Sequence, residues 1–507
     1  MWVTPRTHDF RIVLHFVGIL VVGIGLAMAV PVAVGIAYGE WNAALDYLLG
    51  AGVACVVGVA LMYSHPDPEG LKRVHALAIT ALGWLAASLV AAVPLALSGH
   101  YPTYLDALFD AFSGLTTSGL TVVVDLDHMA HAHNPWRHLT HLIGGQGVVV
   151  AALSLAIGLR GGAFSLYLAE GRDERILPNV VHTVRFIWFV TAVYVGLGTA
   201  ALFAVFSYLG MAPGRGVLHA FWAAIATYDT GGFGPQSMNA MYYHSVLFES
   251  VTVVLMLAGA MNFNLHAQVW RGDRLELWRN IEVRVLAINI FVLSLLSATA
   301  LAATRVFAGP WSAVRTGVYH VFSAHTGTGH QTLYGAQWLS DYSGPAFAAI
   351  LLAMAAGGAV SSTAGGIKAL RLGVIAKALL QQVREGLAPQ SAFMRARYHH
   401  LGERLLTPEI ISAAAMVTIL YGVSFVTGAI AGVHYGHPFS SAFFESVSAT
   451  ANVGLSTGIT SATMPAGLKV VYIAQMWAGR LEFIAVLVLV AQVVLALAAP
   501  VKRSTRT

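Results

Sequence analysis

Four stretches of this chain close in the same way. Residues 108–119, 221–232, 318–329 and 443–454 each carry an aromatic-bearing segment, then small residues, then glycine. They end Thr117-Ser118-Gly119, Thr230-Gly231-Gly232, Gly327-Thr328-Gly329 and Asn452-Val453-Gly454. With the last glycines in register, the residue ten earlier is Phe109, Trp222, Tyr319 and Phe444, although aromatics are only 10% of the chain. The segment before each glycine, such as 104–115, makes about eight to twelve helical residues, roughly 12–18 Å or half a bilayer. Such a helix cannot cross a membrane, so it must dip in and return. Irregular backbone at that depth is tolerated only where protein buries it or water fills it. Four re-entrant loops about one axis meet that condition, and they are what an ion pore needs. Glycine is common here, 51 of 507 residues, so each motif taken singly also fits a loop of a secondary carrier.

The rest of the chain supplies the membrane. Charged residues are 10% and hydrophobic residues 57%, against about 25% charged in ordinary soluble proteins. Ten stretches are apolar enough to span: about 12–37, 43–63, 75–97, 138–159, 184–210, 243–270, 283–308, 344–378, 408–433 and 468–499. The first is too long for a signal-peptide core and is read as an uncleaved anchor. Cys55 is the only cysteine, which excludes an intrachain disulfide and a cysteine metal cluster. Basic residues sort by side. With the N-terminus inside, the outer segments hold only Arg137, Arg215, Arg305, Arg315 and Lys469, Arg480 lies within a span, and the remaining 22 of the 28 Lys and Arg residues fall inside. Both termini are then cytoplasmic, the four motifs face outward, and the basic balance is not a nucleic-acid signal.

These readings give an all-α polytopic membrane protein: two N-terminal helices plus four helix–pore-loop–helix repeats around one pseudo-four-fold pore. The expected units are 1–70 (the two-helix extension), 71–180, 181–280, 281–400 and 401–507. The third repeat's second span is interrupted by Gly357-Gly358 and by Ser361, Ser362, Thr363, Ala364, Gly365 and Gly366. Small polar residues and glycines weaken a helix there, so the span either unwinds beside a water-filled path or packs closely against a neighbour.

At this point the residues resemble the Trk/Ktr/HKT superfamily of potassium transporters, specifically the Trk type with its extra N-terminal pair. Beyond the four motifs, the likeness rests on Trp136-Arg137 followed by Gly144-Gly145-Gln146-Gly147, and on Asn262-Phe263 with Arg271 and Glu282. It also rests on 361–366 with Ile367-Lys368, and on Met476-Trp477-Ala478-Gly479-Arg480-Leu481-Glu482. The resemblance implies potassium uptake through a filter ring of Gly119, Gly232, Gly329 and Gly454. Thr117, Ser118, Thr230, Gly231, Gly327, Thr328, Asn452 and Val453 would supply carbonyls just below. Carbonyl oxygens replace an ion's water shell in such filters, and the negative ends of the half-helices favour a cation. It further implies that residues 361–366 obstruct the pore, a homodimer, a cytoplasmic nucleotide-binding regulatory subunit of the TrkA kind, and the bacterial inner (plasma) membrane. The chain needs no cofactor, and potassium at the filter is its only metal.

A buried arginine faces a cavity or a partner, so Arg480 is expected to face the pore and touch the 361–366 segment. Glu482 is too near in sequence to share its helical face. Lys368 either joins this gate or reaches the cytoplasmic interface. Asp229 either draws cations at the outer mouth or is a solvated carboxylate. His330 either makes uptake pH-sensitive or hydrogen-bonds its loop. Asp125, Asp127, His128, His131, His133, His138 and His141 offer a divalent-metal site or simply line the vestibule. No HExxH or P-loop is present, so no enzyme is read here. The rival to a pore is a carrier coupling potassium to protons or sodium.

Overall fold

The computed structural model describes residues 7–64, 72–147, 180–304, 306–342, 344–389 and 396–498. Part of the fourth apolar stretch (148–159), most of the inner loop 160–185, and 499–507 lie outside the described residues. The chain opens with α1 (Thr7–Ala27) and α2 (Ala29–Tyr38), which together make one span, and α3 (Trp41–Met62) returns beside them. Small residues allow that closeness: a side chain on Gly25 would meet Ala54, and one on Gly58 would meet Val22.

One pattern then recurs four times. A long apolar helix leads to a short helix, a loop and a second helix. The leading helices are α4 (Arg73–Leu97), α7 (Val180–Tyr208), α12 (Ile281–Thr304) and α17 (Pro408–His434). The short helices are α5 (Tyr104–Leu115), α8 (Pro213–Tyr228), α13 (Pro310–His325) and α18 (Phe439–Ala451). The returning helices are α6 (His133–Gln146), α9 (Val246–Ala260), α15 (Gly344–Ala355) and α19 (Ala466–Arg480). Helix α5 starts on a reciprocal cap: Thr103 Oγ1 accepts from Asp106 N, and the Asp106 carboxylate accepts from Thr103 N. Helices α8 and α13 start on proline, whose missing N–H costs nothing in a first turn. Three short helices exceed the expected twelve residues, with lengths of 16, 16 and 13. In the two 16-residue helices the extra turn lies at the N-terminal end, where proline lets the helix begin early, whereas α18 gains its one residue at the C-terminal end.

The register aromatics join short helices to the flanking spans. Phe109, Tyr319 and Phe444 are buried. The Tyr319 hydroxyl lies 3.3 Å from Thr252 Oγ1 on α9, and Phe444 packs on Trp338 and Phe347. Trp222 is partly exposed, its ring 5.4 Å from that of His138 on α6.

Two stretches expected as unbroken spans are sharply bent. Helix α9 turns by 100° into α10 (Phe263–Trp270), and α19 turns by 114° into α20 (Ile484–Ala498). At the first bend Asn262 leaves the helical conformation and its Oδ1 accepts from Asn264 N at 2.8 Å, capping the new helix. At the second, Glu482 and Phe483 take left-handed backbone (φ 51° and 68°). Among the described residues six helices are long and apolar enough to cross a membrane, or eight if each bent pair is one span. In the third repeat α15 ends at Ala355 and α16 (Ala369–Leu387) begins after an unwound segment. Its ends are pinned by Gly357 N to Ile367 O (2.9 Å) and Ala369 N to Gly358 O (2.9 Å). On the side opposite the short-helix loops, α11 (Glu276–Arg279) packs near a small hairpin, β1 (Arg397–His399) paired with β2 (Glu403–Leu405).

Candidate functional site

The four glycine loops share one backbone geometry. Thr117, Thr230, Gly327 and Asn452 are left-handed, with φ of 55°, 49°, 71° and 55°. Two residues on, Gly119, Gly232, Gly329 and Gly454 are left-handed again, with φ of 74°, 73°, 74° and 98°. The residues between them, Ser118, Gly231, Thr328 and Val453, are not. Each of these middle residues sends its N–H back to the short helix: Ser118 to Ser113 O, Gly231 to Ala226 O, Thr328 to Ser323 O and Val453 to Ser448 O, at 2.8–2.9 Å. These bonds satisfy orphan carbonyls at each helix end. They also fix the loop with its N–H groups turned inward to the helix, which leaves its own carbonyls available.

The loops abut in cyclic order. A side chain on Gly119 would run into Gly231 O, one on Gly232 into Thr328 O, and one on Gly329 into Val453 O. One on Gly454 would sit 2.6 Å from Ser118 O, returning to the first loop. Only a residue without Cβ permits this approach, and glycine also accepts the left-handed backbone. The last seam, between the fourth and first loops, carries a side-chain bond: Asn452 Nδ2 donates to Ser118 Oγ at 2.8 Å and to Met476 O at 3.0 Å.

A second glycine set has a packing role that the sequence did not signal. Gly144, Gly259 and Gly479 on the returning helices lie against Leu115 O, Tyr228 O and Thr450 O, each four residues before the last glycine of a loop. Any Cβ there would collide with backbone. Three charged contacts outside the loops, two of them buried, were also not signalled by the sequence. Arg137 donates to Asp110 (3.2 Å) and Gly234 O (3.4 Å) and lies over the Phe233 ring; Arg315 pairs with Glu249; Lys469 pairs with Asp106. The last two join the third copy to the second and the fourth to the first.

The unwound 361–366 segment lies against several of these loops. Thr363 Oγ1 contacts Thr230 Oγ1 (3.0 Å) and donates to Tyr228 O (3.1 Å) and Gly259 O (2.9 Å). A side chain on Gly365 would meet Ala451 O and Asn452, and one on Gly327 would lie 3.4 Å from Gly365 N. Arg480 donates to Thr363 O at 2.7 Å, to Thr117 Oγ1 at 3.0 Å and to Gly144 O at 2.5 Å. One guanidinium thus spans the interrupted segment and the first loop. Glu482 pairs instead with Arg371.

The structure selects between the alternatives for two residues and overturns both for a third. Lys368 stays with the interrupted segment: it is buried, and its Nζ donates to Ala364 O at 2.5 Å. Asp229 is neither at an outer mouth nor solvated. As the residue ending α8 it is buried against Gly145, accepting from Gln146 Nε2 at 2.9 Å. His330 hydrogen-bonds its surroundings, with Nδ1 2.8 Å from Asn239 Oδ1 and Nε2 2.9 Å from Thr227 Oγ1. Asn239 in turn donates to Gly232 O at 2.8 Å, so this imidazole braces the second loop. The outer histidines disperse: His128 goes to Asp125, His131 to Glu40, His133 to the Tyr47 hydroxyl and His138 to Asn134 O, while His141 stacks on Phe233. Among the described residues no three His, Cys, Asp or Glu side chains converge as metal ligands.

Residues 50–495 match the family model described as TrkH, a cation transport protein. The chain belongs to the TrkH family. It is therefore a multi-pass membrane transport protein of mostly helical fold, and not an enzyme. It is 30% identical over 489 residues to an uncharacterized cation transporter of Methanocaldococcus jannaschii, covering 95% of this chain and 96% of that one. It is 28% identical over 492 residues to the Trk system potassium uptake protein TrkH of Escherichia coli K12, covering 95% and 98%. The crystal structure of the potassium transporter TrkH from Vibrio parahaemolyticus superposes with a TM-score of 0.80 at 24% identity, covering 95% of this chain and 98% of that one. That likeness establishes the shared fold.

Proposed function

We infer that this TrkH-family chain takes up potassium through a channel-like pore. The observation that carries the reading is the cyclic abutment of four glycine loops with one repeated backbone conformation. Carbonyls at Thr117, Ser118, Gly119, Thr230, Gly231, Gly327, Thr328, Gly329, Asn452, Val453 and Gly454 would replace the ion's hydration shell, as in other carbonyl filters. Gly232 belongs to the ring, but its carbonyl is shared with Asn239, so the ring departs from four-fold symmetry. Dipoles without full charges bind weakly enough for release.

The 361–366 segment and Arg480 form the gate on this reading. Segment backbone obstructs the path below the loops, and the arginine adds a positive barrier that a cation must pass. Lys368 holds the segment's own turn. The printed names of the E. coli and Vibrio relatives, potassium uptake protein and potassium transporter, support potassium as the cargo. The same reading includes an inner-membrane location with both termini cytoplasmic, a homodimer, a TrkA-like nucleotide-binding subunit docking on the cytoplasmic face, and no cofactor in the chain.

Complementation of a potassium-uptake-deficient bacterium at low potassium tests it. Wild type restores growth, whereas Gly119→Ser and Gly454→Ser do not, since both positions are left-handed and lack room for a Cβ. Growth by both variants at wild-type rate would sink the filter assignment.

A further inference from the structure

Glu282 lies at the start of α12, 2% exposed, yet its carboxylate serves three separate breaks in regular structure. Oε1 accepts from Val360 N at 2.7 Å, at the entry to the 361–366 segment. Oε2 accepts from Asn262 Nδ2 at 3.4 Å, at the bend between α9 and α10. The same oxygen lies 3.6 Å from His400 Nδ1, at the end of β1.

The hairpin bearing His400 is itself fastened to this end of the molecule. His399 Nε2 lies 2.7 Å from Glu276 Oε2, and Leu401 N donates to Glu276 Oε1 at 3.0 Å. Asn280 Nδ2 donates to Glu276 Oε1 at 2.9 Å, and its Oδ1 accepts from Glu282 N at 3.0 Å. Phe263 N, just past the bend, donates to Ser361 O at 3.1 Å. A continuous hydrogen-bonded path therefore runs from an exposed cytoplasmic hairpin to the backbone of the unwound segment. A buried carboxylate is stable only while its oxygens are satisfied, so moving the hairpin disturbs the very group that holds Val360.

We propose that Glu282 is a positioning residue that latches the interrupted segment of the third repeat to the cytoplasmic hairpin 397–405, so that a cytoplasmic partner displacing the hairpin loosens the obstruction below the filter. The proposal rests on the gate reading above and adds the route by which the cytoplasmic side reaches it. The face offered to the partner carries Arg397, Glu403, Arg404 and Leu405, all exposed, a mixed-charge surface suited to a protein and not to a nucleic acid.

The test is potassium flux into proteoliposomes holding the purified full-length chain alone. Glu282→Gln keeps a single acceptor oxygen, enough for Val360 N but not for Asn262 Nδ2 as well, and leaves basal flux within about two-fold of wild type. Glu282→Ala raises basal flux several-fold, and His400→Ala raises it by a smaller factor. Combining Glu282→Ala with removal of residues 361–366 raises flux no further than the removal alone. Equal flux in wild type and Glu282→Ala, with matching thermal stability, overturns the latch, as does additivity with the deletion. If Glu282→Ala proves too unstable to reconstitute, His400→Ala decides: unchanged flux in that folded variant also overturns the proposal. Failure of the deletion itself to raise flux sinks the gate reading instead, so the two failures are told apart.

Discussion

Asn452 of the fourth glycine loop donates to Ser118 of the first, 334 residues away in sequence and 2.8 Å away in space. Three seams of the ring join copies that follow one another in the chain; this fourth seam has no such connection and is closed by side chains. Asparagine suits the position twice, since it tolerates the left-handed backbone that Asn452 adopts and carries the amide that bridges. Asn452→Ala should lower stability by about 1–3 kcal/mol through strain and two lost hydrogen bonds. Asn452→Gly should relieve the strain but not restore the bridge. Both should lower discrimination of potassium over sodium, measured by ion competition for rubidium uptake. Unaltered selectivity in the glycine variant would show that the seam does not shape the filter.

Arg480 predicts a gain of function. Its guanidinium ties Thr363 O to Thr117 Oγ1 and Gly144 O, so Arg480→Ala removes a strap on the 361–366 segment and, on the gate reading proposed above, a positive barrier. Flux should rise several-fold in proteoliposomes, and Arg480→Lys should fall between, because a lysine cannot fork to several acceptors at once. A well-expressed alanine variant with reduced flux would argue that the arginine supports the filter rather than restrains the path.

The glycines on the returning helices should be intolerant of even one methyl. Gly259→Ala and Gly479→Ala place a Cβ on Tyr228 O and Thr450 O, both backbone atoms at the ends of short helices. Backbone cannot rotate away as a side chain can, so α9 or α19 must shift bodily. Overpacking of this kind costs roughly 1–3 kcal/mol or more. Melting temperature in detergent should drop for both. Gly422→Ala, where nothing lies within 4 Å, should leave it unchanged and serves as the control.

The 397–405 hairpin should weaken as pH rises. The hydrogen bond to Glu276 is the largest influence on His399 and raises its pKa above the ordinary histidine value, outweighing partial burial. A pKa raised on folding contributes stability that is complete below the unfolded-state pKa and disappears as pH climbs through the folded one. Protection of the hairpin amides in hydrogen exchange should therefore fall between slightly acid and alkaline pH. His399→Gln should flatten that dependence. A profile equally steep in the variant would assign the effect to another group.

Much of the fold was legible because its signals are local. Apolar run length located the leading spans, and the glycine register picked out four loops whose left-handed positions coincide residue by residue. The interruption after α15 was also legible, because glycines and small polar residues sit in mid-span. The bends at Met261 and Leu481 were not, since each lies inside a stretch read as one span and depends on how the neighbouring segments pack. Asp229 was misplaced for a related reason. Sequence gives its charge but not the helix that shields it, and here Gln146, from a distant segment, donates to it. Lys368 stays with the interrupted segment, at Ala364 O, as one of its two readings had it.

By itself the amino-acid order determined that this chain lives in a bilayer and that four equivalent loops interrupt its apolar stretches. Those properties follow from the transfer cost of charge into hydrocarbon and from the backbone freedom of glycine, which need no knowledge of neighbours. Only the tertiary structure decided that the loops meet in a closed cycle, that Arg480 lies against the first of them, and that Glu282 reaches from the side of the 397–405 hairpin to Val360. Each of these depends on which helices pack together, and close packing is a property of the whole molecule.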